Sequence, residues 1–205
     1  MLRKILVMLA LCVPMVASAQ EAPDALVKRV TDEVLAIIKS DKDLQAGNPK
    51  KVVELAEVKV LPHFDFERMT KLAVGRGWAQ ASDAQKQALM KEFRTMLVRT
   101  YSSSLTAYRN QTIEVKPLKA APADTDVTVR SQVNQPGGQP IPIDYAMEKA
   151  NNAWKVYDVT IAGASLVTTY RGSFADEIQK GGVDGLVKTL ATRNAGPAPA
   201  APPKK

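Results

Sequence analysis

The chain has 205 residues, with 28 lysines and arginines against 21 aspartates and glutamates, one histidine and one cysteine. That length suits one domain built on a single core rather than two domains. The positive charges are scattered among acids instead of lining one helix with aromatics between them, which argues against a nucleic-acid binder and leaves anionic lipid headgroups or acidic protein surfaces as partners.

The first segment reads as a signal for export. Arg3 and Lys4 precede an apolar run from Ile5 to Val16, and Ala17-Ser18-Ala19 has the small-x-small form that a signal peptidase cuts. The run is about twelve residues, short of the roughly 20 that span a bilayer, so no membrane anchor is expected. Cys12 follows Leu11, where a lipoprotein signal would carry a small residue, so cleavage after Ala19 is the expected event rather than lipidation. The mature chain then has no cysteine, hence neither disulfide nor thiolate metal site. Its charge falls to about +5, since Arg3 and Lys4 leave with the signal. The expected organisation is a signal peptide over 1–19, a folded domain over 20–193 and a disordered Ala/Pro/Lys tail over 194–205.

Apolar residues at Leu26, Val27, Val30, Val34, Leu35 and Ile38 predict an amphipathic helix from Asp24 to Lys39, with Asp24 as its cap. A second helix starts with Asn48 as N-cap and Pro49 in its first turn, and should stop near Leu61 because Pro62 disfavours helix in the residue before it. A short helix fits Phe66 to Val74, ended by the glycines at 75 and 77. Ser82 and Gln85 form a capping box for the longest helix, Asp83 to about Tyr108. After Asn110 the period shifts from 3.6 to 2. Strand-like runs follow at 112–119, 126–133, 139–149 and 153–161, joined by connections with turn chemistry. Pro140 and Pro142 predict an edge position or a bulge for the third run. Beyond Gly163 a helical pattern returns, broken at Gly181-Gly182 and resumed by Val183. The expected class is therefore α+β: N-terminal helices, a four-stranded antiparallel meander sheet and C-terminal helices. The third and fourth runs carry bulky apolar residues at both parities, which predicts a sheet covered in part on both faces.

Catalytic signals are sparse. His63, Asp65 and Glu67 alternate like metal ligands, but three converging ligands are needed and this is the sole histidine. Both acids suit the N-terminus of the helix at 66–74, so capping and packing are the expected roles and no metal or cofactor is expected. Asp158, inside the apolar fourth run, is expected on a surface-facing pleat.

The segments "VLPHFDFERMTKLAVGRGWAQAS" and "VYDVTIAGASLVTTYRGSF" resemble, in order and spacing, the MlaC or toluene-tolerance family of periplasmic phospholipid-binding proteins of the Mla lipid-transport pathway. The resemblance runs from about residue 24 to 193. It implies a non-enzymatic periplasmic carrier whose apolar cavity shelters phospholipid acyl chains. Its implied partners are an outer-membrane lipoprotein–porin complex and an inner-membrane ABC transporter complex, with outer-membrane lipid asymmetry as the outcome. The expected lipid-binding residues are Phe93, Met96, Leu97, Tyr101 and Leu105 of the long helix, Ile143, Tyr145, Met147, Val156 and Val159 of the sheet, and Leu166, Val167, Tyr170 and Phe174 of the last helical segment. Each could instead be plain core. Arg76, Arg99 and Arg171 could meet phosphate or an acidic surface, or be solvated. Two rival readings stand beside the carrier: a cone-shaped α+β enzyme using Asp144 and Tyr145, and a periplasmic adaptor with no lipid ligand.

Overall fold

The computed structural model describes residues 21–106, 111–121 and 123–196. The expected signal segment 1–19 and the last nine residues of the expected tail, 197–205, lie outside that set. Helices α1 (Pro23–Ser40), α2 (Lys42–Gln45), α3 (Pro49–Leu55), α4 (Phe66–Val74), α5 (Arg76–Gln80) and α6 (Asp83–Thr106) precede strands β1 (Thr112–Val115), β2 (Asp126–Asn134), β3 (Ile141–Ala150), β4 (Ala153–Ile161) and β5 (Ala164–Ser165). Helix α7 (Leu166–Ala195) closes the fold. The class is α+β with helices at both ends.

Local chemistry explains most helix ends. The Asn48 side chain accepts from the amides of Lys50 and Lys51, and Asp65 Oδ1 accepts from the Arg68 amide at 2.8 Å. The capping box of α6 is complete: Ser82 N donates to Gln85 Oε1 at 2.9 Å, and Gln85 N donates to Ser82 Oγ at 3.2 Å. Asp24, in contrast, is not the cap of α1. Ala22 occupies that position with Pro23 behind it, and Asp24 Oδ2 accepts from the Leu118 amide at 3.0 Å, tying α1 to the segment after β1. The second predicted helix does not reach Leu61 as one α-helix; beyond Leu55 it widens into a π turn, Ala56–Val60, then tightens into a 3-10 turn, Leu61–His63, as it meets Pro62. Gly75 ends α4, but Gly77 lies inside α5, where a Cβ would stand 2.6 Å from Ile178 Cδ1 of α7. Its bareness serves close packing rather than helix termination.

The sheet is a continuous antiparallel meander in the order β1-β2-β3-β4-β5. It has five strands rather than four, because the turn at Ala162 and Gly163 returns the chain for a two-residue pairing of β5 with β4. Gln135-Pro136-Gly137-Gly138 makes a turn with Gly137 at φ 72°, the type II requirement, and Asn151-Asn152 makes a two-residue hairpin with both φ positive. The third run is central, not an edge. Pro142 is tolerated because its missing N–H falls at the end of the β3–β4 ladder, where its carbonyl still accepts from Ala162 N at 2.9 Å.

The two-parity pattern of β4 has a different cause from the one expected. Ala146 pairs with Asp158 and Met147 with Val156, so Tyr157 is an extra residue and the strand changes parity at a β-bulge. Val156 and Val159 thereby both join the core, while Tyr157 faces outward under the Arg68 guanidinium, 3.6 Å from its ring centroid. Arg68 also pairs with Asp126 at 3.0 Å and with Glu148. The outward parity of β2 and β3 is polar, with Asp126, Thr128, Arg130, Gln132, Asp144 and Glu148, so the strongly apolar face is one, turned toward the helices.

Helix α7 is folded back on itself. In a straight helix Glu177 and Thr189 would stand about 18 Å apart along the axis, yet Thr189 Oγ1 donates to Glu177 Oε2 at 2.8 Å. The reversal occurs at Gly182, with φ 65° and ψ −168°. Helical residues continue to Ala195, and Asn194 is buried, donating to Glu92 O and Glu92 Oε2 of α6.

Candidate functional site

The main core lies between the inner face of the sheet and helices α4, α6 and α7, with a smaller cluster of Val34, Ile38, Leu44, Val52 and Leu55 under α1–α3. Thirteen of the fourteen residues expected to line a lipid cavity fall in that one main cluster. Phe93, Met96, Leu97, Met147, Val156, Val159, Leu166, Val167 and Phe174 are buried in it, and Tyr101, Ile143, Tyr145 and Tyr170 pack against it half-buried. The side chain of Leu105 is outside the described set. Strand pleating and helical spacing bring these groups together: α6 presents Leu89, Phe93, Met96 and Leu97 on one stripe, and β3 presents alternate residues.

Sequence reasoning missed part of the same wall. Val129 and Ser131 of β2, and Leu186 and Leu190 of the returning half of α7, are buried there too. Two-residue alternation in β2 and the i, i+4 spacing of the leucines carried the signal.

An aromatic knot joins α6 to α7. Phe93 meets Tyr170 edge-on at 5.4 Å between centroids and Phe174 at 5.2 Å, both at 77°. Buried hydroxyls in α6 and β2 are satisfied by main-chain carbonyls: Thr100 Oγ1 donates to Met96 O at 2.7 Å, and Ser131 Oγ to Ile143 O at 3.1 Å. Tyr101 Oη is buried and has no hydrogen-bond partner in alignment, although the Tyr170 hydroxyl stands near it. Burial first, and Tyr170 next, push the Tyr101 phenol well above its ordinary value, and burial raises Tyr170 and Tyr145 as well. A phenol whose folded pKa exceeds its unfolded one, near 10, stabilises the fold below that pH and loses its contribution as pH rises beyond it, because the unfolded chain then releases protons that the native one keeps. Alkaline titration should accordingly show delayed phenolate absorbance, with ionisation of these tyrosines coinciding with unfolding; smooth ionisation in the intact fold would contradict their burial.

The residues once suspected of chemistry have other tasks. Asp65 caps α4, and burial, then Arg29 and Lys155, hold His63 below the usual imidazole range. Among the described residues no three His, Cys, Asp or Glu side chains converge to hold a metal. Phe64 and Phe66 stack at 5.7 Å beside a shallow external cleft of about 490 Å³ that also touches Asp65 and the β3–β4 hairpin. Asp144 and Tyr145, adjacent on a strand, point to opposite faces. Arg99 donates to the carbonyls of Asn194 and Gly196 and pins the end of α7. Arg171 Nε donates to Leu72 O at 3.0 Å, and Arg76 is exposed.

Asp158 does not occupy a plain surface pleat. It is half-buried just beyond the bulge, where Oδ1 accepts from the amides of Val159 at 2.8 Å and Val167 at 3.1 Å, and Oδ2 from Ser165 Oγ at 2.5 Å. It therefore fixes the entry into α7 together with the Ser165 cap. Asp158→Ala should cost about 2–3 kcal/mol, since hydrogen bonds to a charged acceptor are each worth about 1.5–3, with Asp158→Asn recovering part of that in thermal melts. Equal melting of the alanine variant and the wild type would remove Asp158 from this role.

A one-sided antiparallel meander packed against a helical wall over one apolar interior defines the class as an α+β helix-on-sheet domain. The family model described as "MlaC protein" matches residues 28–192, and the chain belongs to that family. It is 28% identical over 190 residues to the toluene tolerance protein Ttg2D of Pseudomonas putida, covering 92% of this chain and 87% of that protein. It is 24% identical to the intermembrane phospholipid transport system binding protein MlaC of Haemophilus influenzae, covering 90% and 87%. Among solved structures, a phospholipid-binding protein from Ralstonia solanacearum, described as in complex with a phospholipid, superposes with a TM-score of 0.78 at 50% identity, covering 84% of this chain and 96% of that one. No helix among the described residues is long and apolar enough to cross a membrane.

Proposed function

We propose that the protein is a periplasmic phospholipid carrier that takes acyl chains into its apolar interior and shuttles lipid between an outer-membrane lipoprotein–porin complex and an inner-membrane ABC transporter, maintaining outer-membrane lipid asymmetry. The observation that carries this reading is the likeness, at 50% identity and over nearly the whole of its length, to a protein described as holding a phospholipid. Physics supplies the need. A diacyl lipid exposes roughly 30 methylenes and methyls at about 0.8 kcal/mol each, a hydration penalty of about 25 kcal/mol that keeps it from crossing water alone.

The lining is the group from α6, the sheet and α7 named above. Tyr101, Ile143, Tyr145 and Tyr170, half-buried, offer surface that a chain can touch first. Phe93 and Phe174, at 0% and 1% exposure, stand behind them and must shift for a chain to pass deeper. An enzyme reading loses its proposed pair, because Asp144 and Tyr145 cannot act on one substrate from opposite faces of the sheet.

Solvent extraction of the purified protein followed by mass spectrometry tests the carrier reading. Phospholipid in near-stoichiometric amount is expected. Protein free of lipid, and unable to take it from vesicles, would turn the reading toward an adaptor that works through its surface alone.

A further inference from the structure

Buried hydroxyls in folded proteins almost always find a partner, because one left unpaired costs about 1–3 kcal/mol. Tyr101 Oη is buried without one. Among the described residues the Tyr170 hydroxyl stands near it without closing an aligned bond, Thr100 Oγ1 spends its one proton on Met96 O, and Phe93 and Phe174 beyond Tyr170 are apolar. The ring that carries the hydroxyl packs half-buried against the main core, so the group sits at the border of the interior rather than in its depth. An orphaned donor at the border of an apolar interior is explained by an acceptor that arrives with the ligand.

The chemistry of the acceptor follows from the charges around it. Acyl chains carry none. A phosphate would bring a full negative charge beside phenols, and Arg193, the cation that acts on Tyr170 among the described residues, is exposed. That compensation lies on the solvent side, and the apolar interior side suits a neutral acceptor. In a diacyl glycerophospholipid the neutral acceptors are the ester carbonyls, at the root of the chains, one short step inside the headgroup.

Resting on the carrier reading, we propose that the Tyr101 hydroxyl donates a hydrogen bond to an ester carbonyl of the bound lipid, which sets the depth at which a diacyl ligand is held and favours ester-linked over ether-linked chains. Tyr101 is thus a specificity-determining residue of the lipid site, and what it reads is the linkage rather than the chain or the headgroup.

The test uses delipidated full-length mature protein and two probes with the same headgroup and chain length, dioleoylphosphatidylglycerol and its dioleyl diether analogue, in competition for the site. The wild type should favour the ester by about five- to tenfold, the value of one hydrogen bond. Tyr101→Phe should bind both alike while melting no lower than the wild type, since it deletes a hydroxyl that the empty fold leaves unpaired. Tyr170→Phe should keep the preference. Equal binding of the two lipids by the wild type, or a preference undiminished in Tyr101→Phe, overturns the proposal. The wild-type comparison decides even if the variant fails to fold. Wild type that holds neither probe would overturn the carrier reading itself, and this inference with it.

Discussion

Phe93→Ala should lower stability by about 3–5 kcal/mol, the range for deleting a buried aromatic side chain, and the melting temperature by about 10 °C. Phe93 is 0% exposed and makes both edge-on contacts of the aromatic knot, with Tyr170 and Phe174. Its removal therefore opens a void between α6 and α7 and also forfeits ring-pair terms of about 0.5–1.5 kcal/mol each. The loss should exceed simple hydrocarbon transfer, because α7 is held by Arg99, Asp158 and the packing of Ile178 against Gly77 and cannot collapse freely into the gap. Phe93→Leu should recover much of the loss. Melts of delipidated protein give the measurement, and a drop below about 1 kcal/mol would show that this contact is not central to the core.

Gly182→Ala carries the second large effect. At φ 65° and ψ −168° the backbone occupies a region essentially reserved for glycine, and a side chain there costs about 1–3 kcal/mol or more. Space is not the obstacle, since a Cβ at 182 would meet nothing within 4 Å. The penalty is purely conformational and acts at the reversal that brings Thr189 to Glu177. Gly181→Ala is the matched control: it too would meet nothing within 4 Å but has no positive φ, so it should be neutral or stabilising by up to about 1 kcal/mol. Similar melting of the two variants would mean that the fold-back does not depend on Gly182.

Legibility differed by element for physical reasons. Helix α4 was read to its ends because an acid cap and a terminating glycine are local signals, and the capping box of α6 likewise needs only four residues. Asp24 was misread because it has the chemistry of a cap but is drawn away by a backbone amide 94 residues distant. The bulge at Tyr157 was invisible, since an extra residue shifts parity without changing composition, and it turned a one-faced strand into an apparently two-faced one. The break at Gly181-Gly182 was legible, but the direction of the chain after it depends on a single dihedral. In the candidate site the nominated residues gather in one cluster because hydrophobic periodicity selects whatever faces inward. That same criterion cannot separate wall from filler, and an unpaired hydroxyl is a property of alignment that no residue pattern records.

The fold-back of α7 also has a practical outcome for handling the protein. It returns the polypeptide to α6, where Arg99, two residues before Tyr101, grips the carbonyls of Asn194 and Gly196. The last described residue, Gly196, therefore lies beside α6, the helix that carries Tyr101. Affinity tags and fluorescent labels belong behind the expected cleavage site, at the N-terminus of the mature chain, when ligand loading is to be left undisturbed.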